Sequence, residues 1–231
     1  MIDECDFSME HADGTFLEHL VFCHHYAARH YPRHSPNVAL LHSILGTATN
    51  TFAMQAAKLP RLKTLLTEFE AIHVETFPSI LRLLYNDELL GELDQNLHRL
   101  RDLRALHFYR VIDNEPLTID AANFWINLNY HLMHFVDFMP CANWPTHRTD
   151  PLLQMFAKVS RLLDRAGQRQ ARVEMAFPDG KTAPVGEQRT LLGQITDLLP
   201  AAFKLRLARK SIRQYSAKAG HDLGYRLEWG D

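Results

Sequence analysis

The sequence is poor in cysteine and has no long apolar run. Its three cysteines, Cys5, Cys23 and Cys141, are too few and too scattered for a disulfide framework. A reducing compartment, and so a cytoplasmic location, is therefore expected. No stretch reaches about 18 uninterrupted apolar residues, so no transmembrane segment is expected. The acidic N-terminal stretch also lacks the apolar core of a secretory signal peptide.

An excess of one charge sign is lacking as well. The 25 Lys and Arg residues nearly balance 27 Asp and Glu residues, which leaves a formal net charge of −2. This balance argues against binding to duplex nucleic acid. The sequence has no glycine-rich phosphate loop, no Cys-x-x-Cys pair and no Gly-x-Ser-x-Gly elbow, so the site classes that these motifs mark are not indicated.

Apolar residues recur with helical spacing along most of the chain, and the predicted fold class is all-α. We expect seven to nine helices, with nearly all of residues 60–113 helical. A chain of 231 residues can bury a sizeable core. The single strand candidate is a short hairpin at residues 172–180, in the C-terminal third, where an alternating segment meets a Pro-Asp-Gly turn.

Capping signals predict several helix ends. Thr15 and Glu18 match a capping box, and the helix that they begin should end at Tyr31, which precedes a proline. Asp120 is the expected N-cap of a long helix. Gly220 is placed to end the last helix.

The pattern divides the chain into three parts. These are a flexible N-terminus (1–13), a helical core (14–148) and a C-terminal helical extension (149–231) with the hairpin and a basic helix. That helix, at residues 204–218, is a candidate for contact with an acidic partner or a membrane surface. The alternative is a helix docked on the domain with its lysines solvated. The oligomeric state is not predicted.

Histidine is abundant, with 14 residues, and it is the commonest metal ligand in proteins. His19 lies on the first predicted helix. His42 lies in a strongly apolar segment, where an unpaired polar group costs roughly 1–3 kcal/mol. His42 must therefore be satisfied by a hydrogen bond or by a metal ion.

A polar stripe follows on the long helix after Asp120. Asn127, His131, His134 and Asp137 are spaced at i, i+4, i+7 and i+10 and so share one face. Histidine and carboxylate groups one turn apart can bind zinc or iron. The alternative is a solvent-facing stripe on an amphipathic helix.

The order of these segments resembles the HD-domain superfamily of all-α metal-dependent hydrolases. In that superfamily the first helix provides a histidine, the second an adjacent His-Asp pair, and a later helix the closing aspartate. His19 and His42 take the first two places. The spelling Leu-Leu-His-Ser-Ile-Leu-Gly-Thr resembles an uncharacterised HD-like branch in which serine replaces the aspartate. The resemblance covers roughly residues 11–140 and implies an HD-like helical bundle.

The resemblance also implies a site for a divalent metal, Fe, Mn or Zn. The candidate metal ligands are His19, His42, His134 and Asp137. His131 is a further candidate ligand. Two rivals remain open, since His11 could replace the first histidine and Asp113 the closing carboxylate.

Ser43 stands where the superfamily has its bridging aspartate. A serine hydroxyl cannot share two carboxylate oxygens between two metals, and it offsets no metal charge. This counts against a dinuclear centre and leaves open a mononuclear centre held by His19, His42 and one or two of His131, His134 and Asp137. The same departure also fits a degenerate protein that has lost the metal.

The expected function is that of a metal-dependent enzyme acting on a small-molecule substrate. The favoured reaction is hydrolysis of a phosphate ester or a related compound by a metal-activated water. Asp137, as ligand or general base, and His131, as proton donor, are the candidate catalytic residues. An iron oxygenase, mononuclear or dinuclear, is one alternative. A non-catalytic helical module for ligand binding or protein interaction is the other.

Overall fold

The computed structural model describes residues 10–11, 14–48, 54–138, 151–173 and 198–230. These residues are mainly helical, which confirms the helical part of the predicted fold class. The α-helices are α1 (Phe16–His30), α2 (Asn37–Leu41), α3 (Leu59–Lys63), α4 (Glu68–Asn86), α5 (Glu88–Gln95), α6 (Ala121–His134), α7 (Pro151–Ala166) and α8 (Ala201–Lys218). Short 3-10 helices occupy Ala56–Lys58, Leu97–Asp102 and Phe135–Phe138. Within this part of the chain, no helix has the length and apolar character needed to cross a bilayer.

The structure contains a three-stranded antiparallel sheet, so the expectation of at most one short hairpin was wrong, and one of its strands (Leu103–Tyr109) lies where the pattern predicted a helix. Strands β1 and β2 form a separate small pair. The strands are β1 (Glu10–His11), β2 (Gly14–Thr15), β3 (Leu103–Tyr109), β4 (Pro116–Asp120) and β5 (Arg226–Trp229). In the larger sheet β3 lies between β4 and β5. Residues 174–180 of the predicted hairpin lie outside the described residues.

The centre of β3 shows why the helical prediction failed there. Leucines at positions 100, 103 and 106 have a spacing that also fits a helical stripe. In the structure, Leu106 pairs with Ile119 on one side and with Leu227 on the other, and all three side chains are buried. Periodicity in a short apolar segment does not distinguish helix from strand, and the pairing partners decide the outcome.

The predicted helix caps are confirmed. The backbone N–H of Glu18 donates to the Thr15 hydroxyl at 3.3 Å, and the Thr15 N–H donates to the Glu18 carboxylate at 2.7 Å. Tyr31 is the C-cap of α1. The carboxylate of Asp120 caps α6, accepting from a backbone N–H three residues later at 2.8 Å. Gly220, just beyond α8, has a φ of 68°, which glycine adopts without steric cost.

Hydrogen bonds fix the start of α2 against α4 and α6. The Glu70 carboxylate accepts from the Ser35 hydroxyl at 2.5 Å and from the Asn37 amide at 2.9 Å. The Tyr130 hydroxyl donates to the Ser35 carbonyl at 2.7 Å. This short helix ends at Leu41, one residue before His42, so its anchoring sets the position of that histidine.

Helix α8 docks on the junction between α4 and α5. Asp87, with a φ of 64°, accepts from Lys158 of α7 at 2.6 Å and pairs with Arg209 of α8. Arg213 donates to the Asn86 side chain at 2.8 Å. Part of the basic character of α8 is thus used within the fold.

Candidate metal centre

Three buried histidines converge from α1, the end of α2 and α6. The ring centroids of His19, His42 and His134 lie 5.0, 5.2 and 4.7 Å apart in the three pairs. One ligand nitrogen from each ring lies within 4.8 Å of the others. Since imidazole nitrogen binds zinc at about 2.1 Å, one ion could reach all three after small side-chain movements. We call these residues the three-histidine group.

His19 lies within the buried stripe of α1. Phe16, Leu20 and Cys23 on the same helix are also buried, and they direct His19 into the core. Its Nδ1 atom lies 2.5 Å from Oδ2 of Asp137 in the 3-10 helix after α6. This carboxylate orients the ring and places a proton on Nδ1, which directs the Nε2 lone pair inward when the ring is neutral.

His42 follows α2 directly, in a turn that Gly46 ends with a φ of 139°. Its Nδ1 atom lies 2.6 Å from the Ala39 carbonyl oxygen, which can only accept a hydrogen bond. The proton therefore resides on Nδ1, and Nε2 of the neutral ring carries a lone pair. The apolar segment that carries His42 is an α-helix only as far as Leu41, and His42 is the C-cap.

The Nε2 atoms of His19 and His42 face each other at 3.1 Å. Two neutral rings with protonated Nδ1 atoms would here oppose two lone pairs, and a cation between them removes that repulsion. Two nitrogens bound at about 2.1 Å to one ion are about 3.0–3.4 Å apart for angles of 90–109°. The donor set thus fits a metal ion, and a single shared proton is the alternative cation.

His131 lies beside this group and outside it. Its ring packs on Phe77 with centroids 3.8 Å apart, and the side chain is completely buried. Neither ring nitrogen has a hydrogen-bond partner among the described residues. Burial, and then the neighbouring His42 and His73, lowers the pKa of His131 well below its ordinary value. This predicted catalytic residue is therefore neutral in the folded protein at pH 7.

The two rival residues from the sequence lie elsewhere. Asp113 is in the turn between β3 and β4, where its carboxylate accepts two hydrogen bonds from Arg110, at 2.7 and 2.6 Å. The structure therefore does not bring Asp113 to the three-histidine group. His11 is in β1, and only its backbone is described.

Cys23 adds a thiol close to the site. Its sulfur lies 3.9 Å from both ring nitrogens of His19. Burial, together with the Asp137 charge, raises the pKa of the Cys23 thiol well above its usual value. Cys23 is therefore a protonated neighbour, and the sequence patterns had placed it only among the apolar core residues.

A cavity of about 230 Å³ lies against His134. Its apolar wall includes Leu81, Phe138, Ala208 and Ile212. Hydroxyl groups come from Ser43, Thr47, Tyr85 and Ser211. The cavity offers a small molecule a place beside the three-histidine group. Sequence patterns identified His134 and Ser43 but missed Tyr85 and the α8 residues, because no short motif marks a wall shared by distant helices.

Arg82 is completely buried next to this wall. Its Nε donates to the Thr47 carbonyl at 3.1 Å, and Nη1 donates to the Ser216 hydroxyl at 3.3 Å. Burial lowers the pKa of Arg82 to about 10, so the guanidinium stays charged at pH 7. Arg82 itself does not line the cavity.

Comparisons with known proteins found no match to this chain among protein-family models, curated proteins or solved structures. The HD-like resemblance therefore depends on the sequence segments quoted for it. The evidence for a metal centre is the arrangement of the three-histidine group itself.

Proposed function

We propose that the protein is an HD-like, mononuclear metal-dependent enzyme that hydrolyses a small molecule. The observation that carries the proposal is the 3.1 Å approach of the His19 and His42 Nε2 atoms, with His134 alongside. A bound divalent ion (Fe, Mn or Zn) would lower the pKa of a coordinated water toward about 7 and so supply a nucleophile.

The chain's own residues divide the remaining work. His19, His42 and His134 hold the ion, and Asp137 keeps His19 in the tautomer that binds through Nε2. The apolar cavity wall excludes water and holds the substrate against His134. Proton donation by His131 stays a prediction from the sequence that the geometry does not support, since its ring does not line the cavity and burial keeps it neutral at pH 7.

The test is elemental analysis of protein purified without a histidine tag and then loaded with Fe, Mn or Zn. We expect one equivalent of metal in the wild type and less than a tenth of that in His42→Ala. His98→Ala, which removes an exposed histidine, is the matched control and should retain the metal. Circular dichroism checks the fold of each variant, and His134→Ala provides a second loss of ligand. A wild type that takes up no metal overturns the proposal.

An iron oxygenase is an alternative on the same donor set. Three nitrogen ligands leave positions open on one ion, and histidine ligation suits Fe(II). The apolar cavity next to His134 favours this alternative, since it would hold an uncharged organic substrate. Substrate-dependent dioxygen uptake by the Fe(II)-loaded protein separates oxygenation from hydrolysis.

A non-catalytic helical module is the second alternative. A single proton shared by His19 and His42 would complete the chain from Asp137 to the Ala39 carbonyl without metal. In that case the cavity binds a ligand without converting it. An acidic partner at helix α8 also stays a prediction, since Arg209 and Arg213 are already engaged by the domain.

A further inference from the structure

We infer, on the basis of the proposed metal centre, that the substrate presents an uncharged and largely apolar group to the cavity, and that the site does not take phosphate monoesters. Among the described residues the cavity wall is mainly apolar, and its polar members are four hydroxyl-bearing residues and His134. Among the described residues that line it, none is Asp, Glu, Lys or Arg.

The charges around the three-histidine group support this substrate class. Three neutral imidazoles add no charge to a divalent ion, whose two positive charges are offset by the Asp137 carboxylate and a hydroxide nucleophile. An uncharged substrate therefore adds no charge to the ion and its ligands. A phosphate monoester dianion would add two negative charges, and no cationic side chain among the described lining residues contacts them, which is unfavourable against an apolar wall.

Arg82 is a cation buried close to this wall, and its known hydrogen bonds go to other groups of the protein. Its guanidinium donates to the Thr47 carbonyl and to the Ser216 hydroxyl, and the side chain does not line the cavity. Ser43 and Ser211 line the wall, and a serine hydroxyl is a hydrogen-bond donor that suits a carbonyl or hydroxyl oxygen of a ligand.

The volume of the cavity limits the size of the substrate group that it can hold. A volume of about 230 Å³ exceeds the roughly 150 Å³ that accommodates benzene in an apolar protein cavity. One substituted ring, or an aliphatic group of similar size, therefore fits. An uncharged ester or amide with one such group is the substrate class that the wall would recognise.

The test measures binding, so it needs no turnover. Acetanilide and phenylphosphonate both carry a phenyl ring, but only the second is an anion at pH 7. Isothermal titration calorimetry with the full chain, metal-free and zinc-loaded, compares the two probes. We expect acetanilide to bind both forms at least tenfold more tightly than phenylphosphonate. Equal or tighter binding of phenylphosphonate to the zinc-loaded protein, or no binding of acetanilide, overturns the inference.

Three substitutions test whether the probes bind in this cavity. Ala208→Trp fills the wall and should weaken acetanilide binding at least tenfold, whereas Ala217→Trp on the opposite, exposed face of α8 should not. Ser211→Arg adds a cation to the wall and should raise the affinity for phenylphosphonate at least tenfold. Unchanged affinities in Ala208→Trp would show that the probe binds elsewhere, against the inference.

The outcomes also separate the inference from the proposed function. If the wild type takes up no metal but metal-free protein still binds acetanilide in this cavity, the enzyme proposal fails and the ligand class stands. If metal binds but phenylphosphonate is preferred, the ligand class fails and the metal centre stands.

Discussion

The Asp137 carboxylate lies 2.5 Å from His19 Nδ1, although the two residues are 118 positions apart in the chain. A carboxylate in this position orients the histidine, and its removal typically reduces metal affinity about 10–100-fold. We therefore expect Asp137→Asn to weaken zinc binding by this factor without abolishing it. Competition with a chelator of known affinity measures the change.

The control for Asp137 is Asp94→Asn, which breaks an exposed ion pair with Arg161 and should leave zinc affinity unchanged. Complete loss of zinc in Asp137→Asn would instead make Asp137 a ligand. Unchanged affinity would remove it from the site.

His131 makes stability depend on pH. The unfolded chain takes up a proton on this residue near pH 6.5, but burial keeps the folded form neutral to much lower pH. The free energy of unfolding should therefore fall as the pH drops below about 6.5. His73, whose pKa is lowered to about 4, mainly by burial, contributes in the same direction.

The variant that tests this pH dependence is His131→Phe in the metal-free protein. It replaces two ring nitrogens, for which the described part of the chain provides no hydrogen-bond partner, with an apolar ring against Phe77. We expect a change of less than about 1 kcal/mol at pH 7 and a smaller loss of stability between pH 7 and 5 than in the wild type. Urea unfolding at several pH values measures both, and a loss of several kcal/mol at pH 7 would contradict this account.

Glu70 produces the opposite pH behaviour. Burial opposes its ionisation, but hydrogen bonds from Ser35, Thr67 and Asn37 outweigh that effect and lower the Glu70 pKa to about 2. A carboxylate with a lowered pKa stabilises the fold above its unfolded value, near 4.5, and loses this contribution as the pH falls toward 2.

Glu70→Gln should therefore lower the free energy of unfolding by about 1–3 kcal/mol at pH 7, with a difference that shrinks below pH 4.5. Because Glu70 holds the start of α2, metal affinity at His42 should fall as well. Glu68→Gln is the control, because Glu68 lies two residues earlier in the same helix and is exposed. An equal loss in both variants would argue against the specific role of Glu70.

Asp87 joins three helices through two cations. Its side chain is 8% exposed and pairs with Lys158 and Arg209. Asn tolerates the left-handed backbone at this position, so Asp87→Asn removes the charge without straining the turn. We expect a loss of about 2 kcal/mol in the free energy of unfolding, measured by urea titration. Asp94→Asn should cost less than about 1 kcal/mol, since its ion pair is exposed.

Local signals in the sequence predicted several of the helix ends. The Thr15 capping box and the Asp120 cap depend on neighbouring residues, so they can be read from the chain alone. His19 was a candidate because it lies on the first predicted helix and takes the first place in the HD-like order of segments. His42 stood out because a polar ring in an apolar segment requires a partner.

The remaining features depend on contacts between distant segments. The strand at Leu106 forms because Ile119 and Leu227 pair with it. The hydrogen bond between His19 and Asp137 joins α1 to the 3-10 helix that follows α6, two elements far apart in the chain. Spacing along one chain predicts which residues share a face, but it does not predict how two faces meet.

Strand β3 has its second neighbour only after residues 226–229 are in place. During synthesis, the backbone groups along one edge of β3 therefore stay unpaired until more than a hundred further residues have been added to the chain. The wall that α8 contributes to the cavity arrives in the same late stretch of chain. A ribosome-bound intermediate should thus expose both an open strand edge and an unfinished pocket, which is where a chaperone would be expected to bind first.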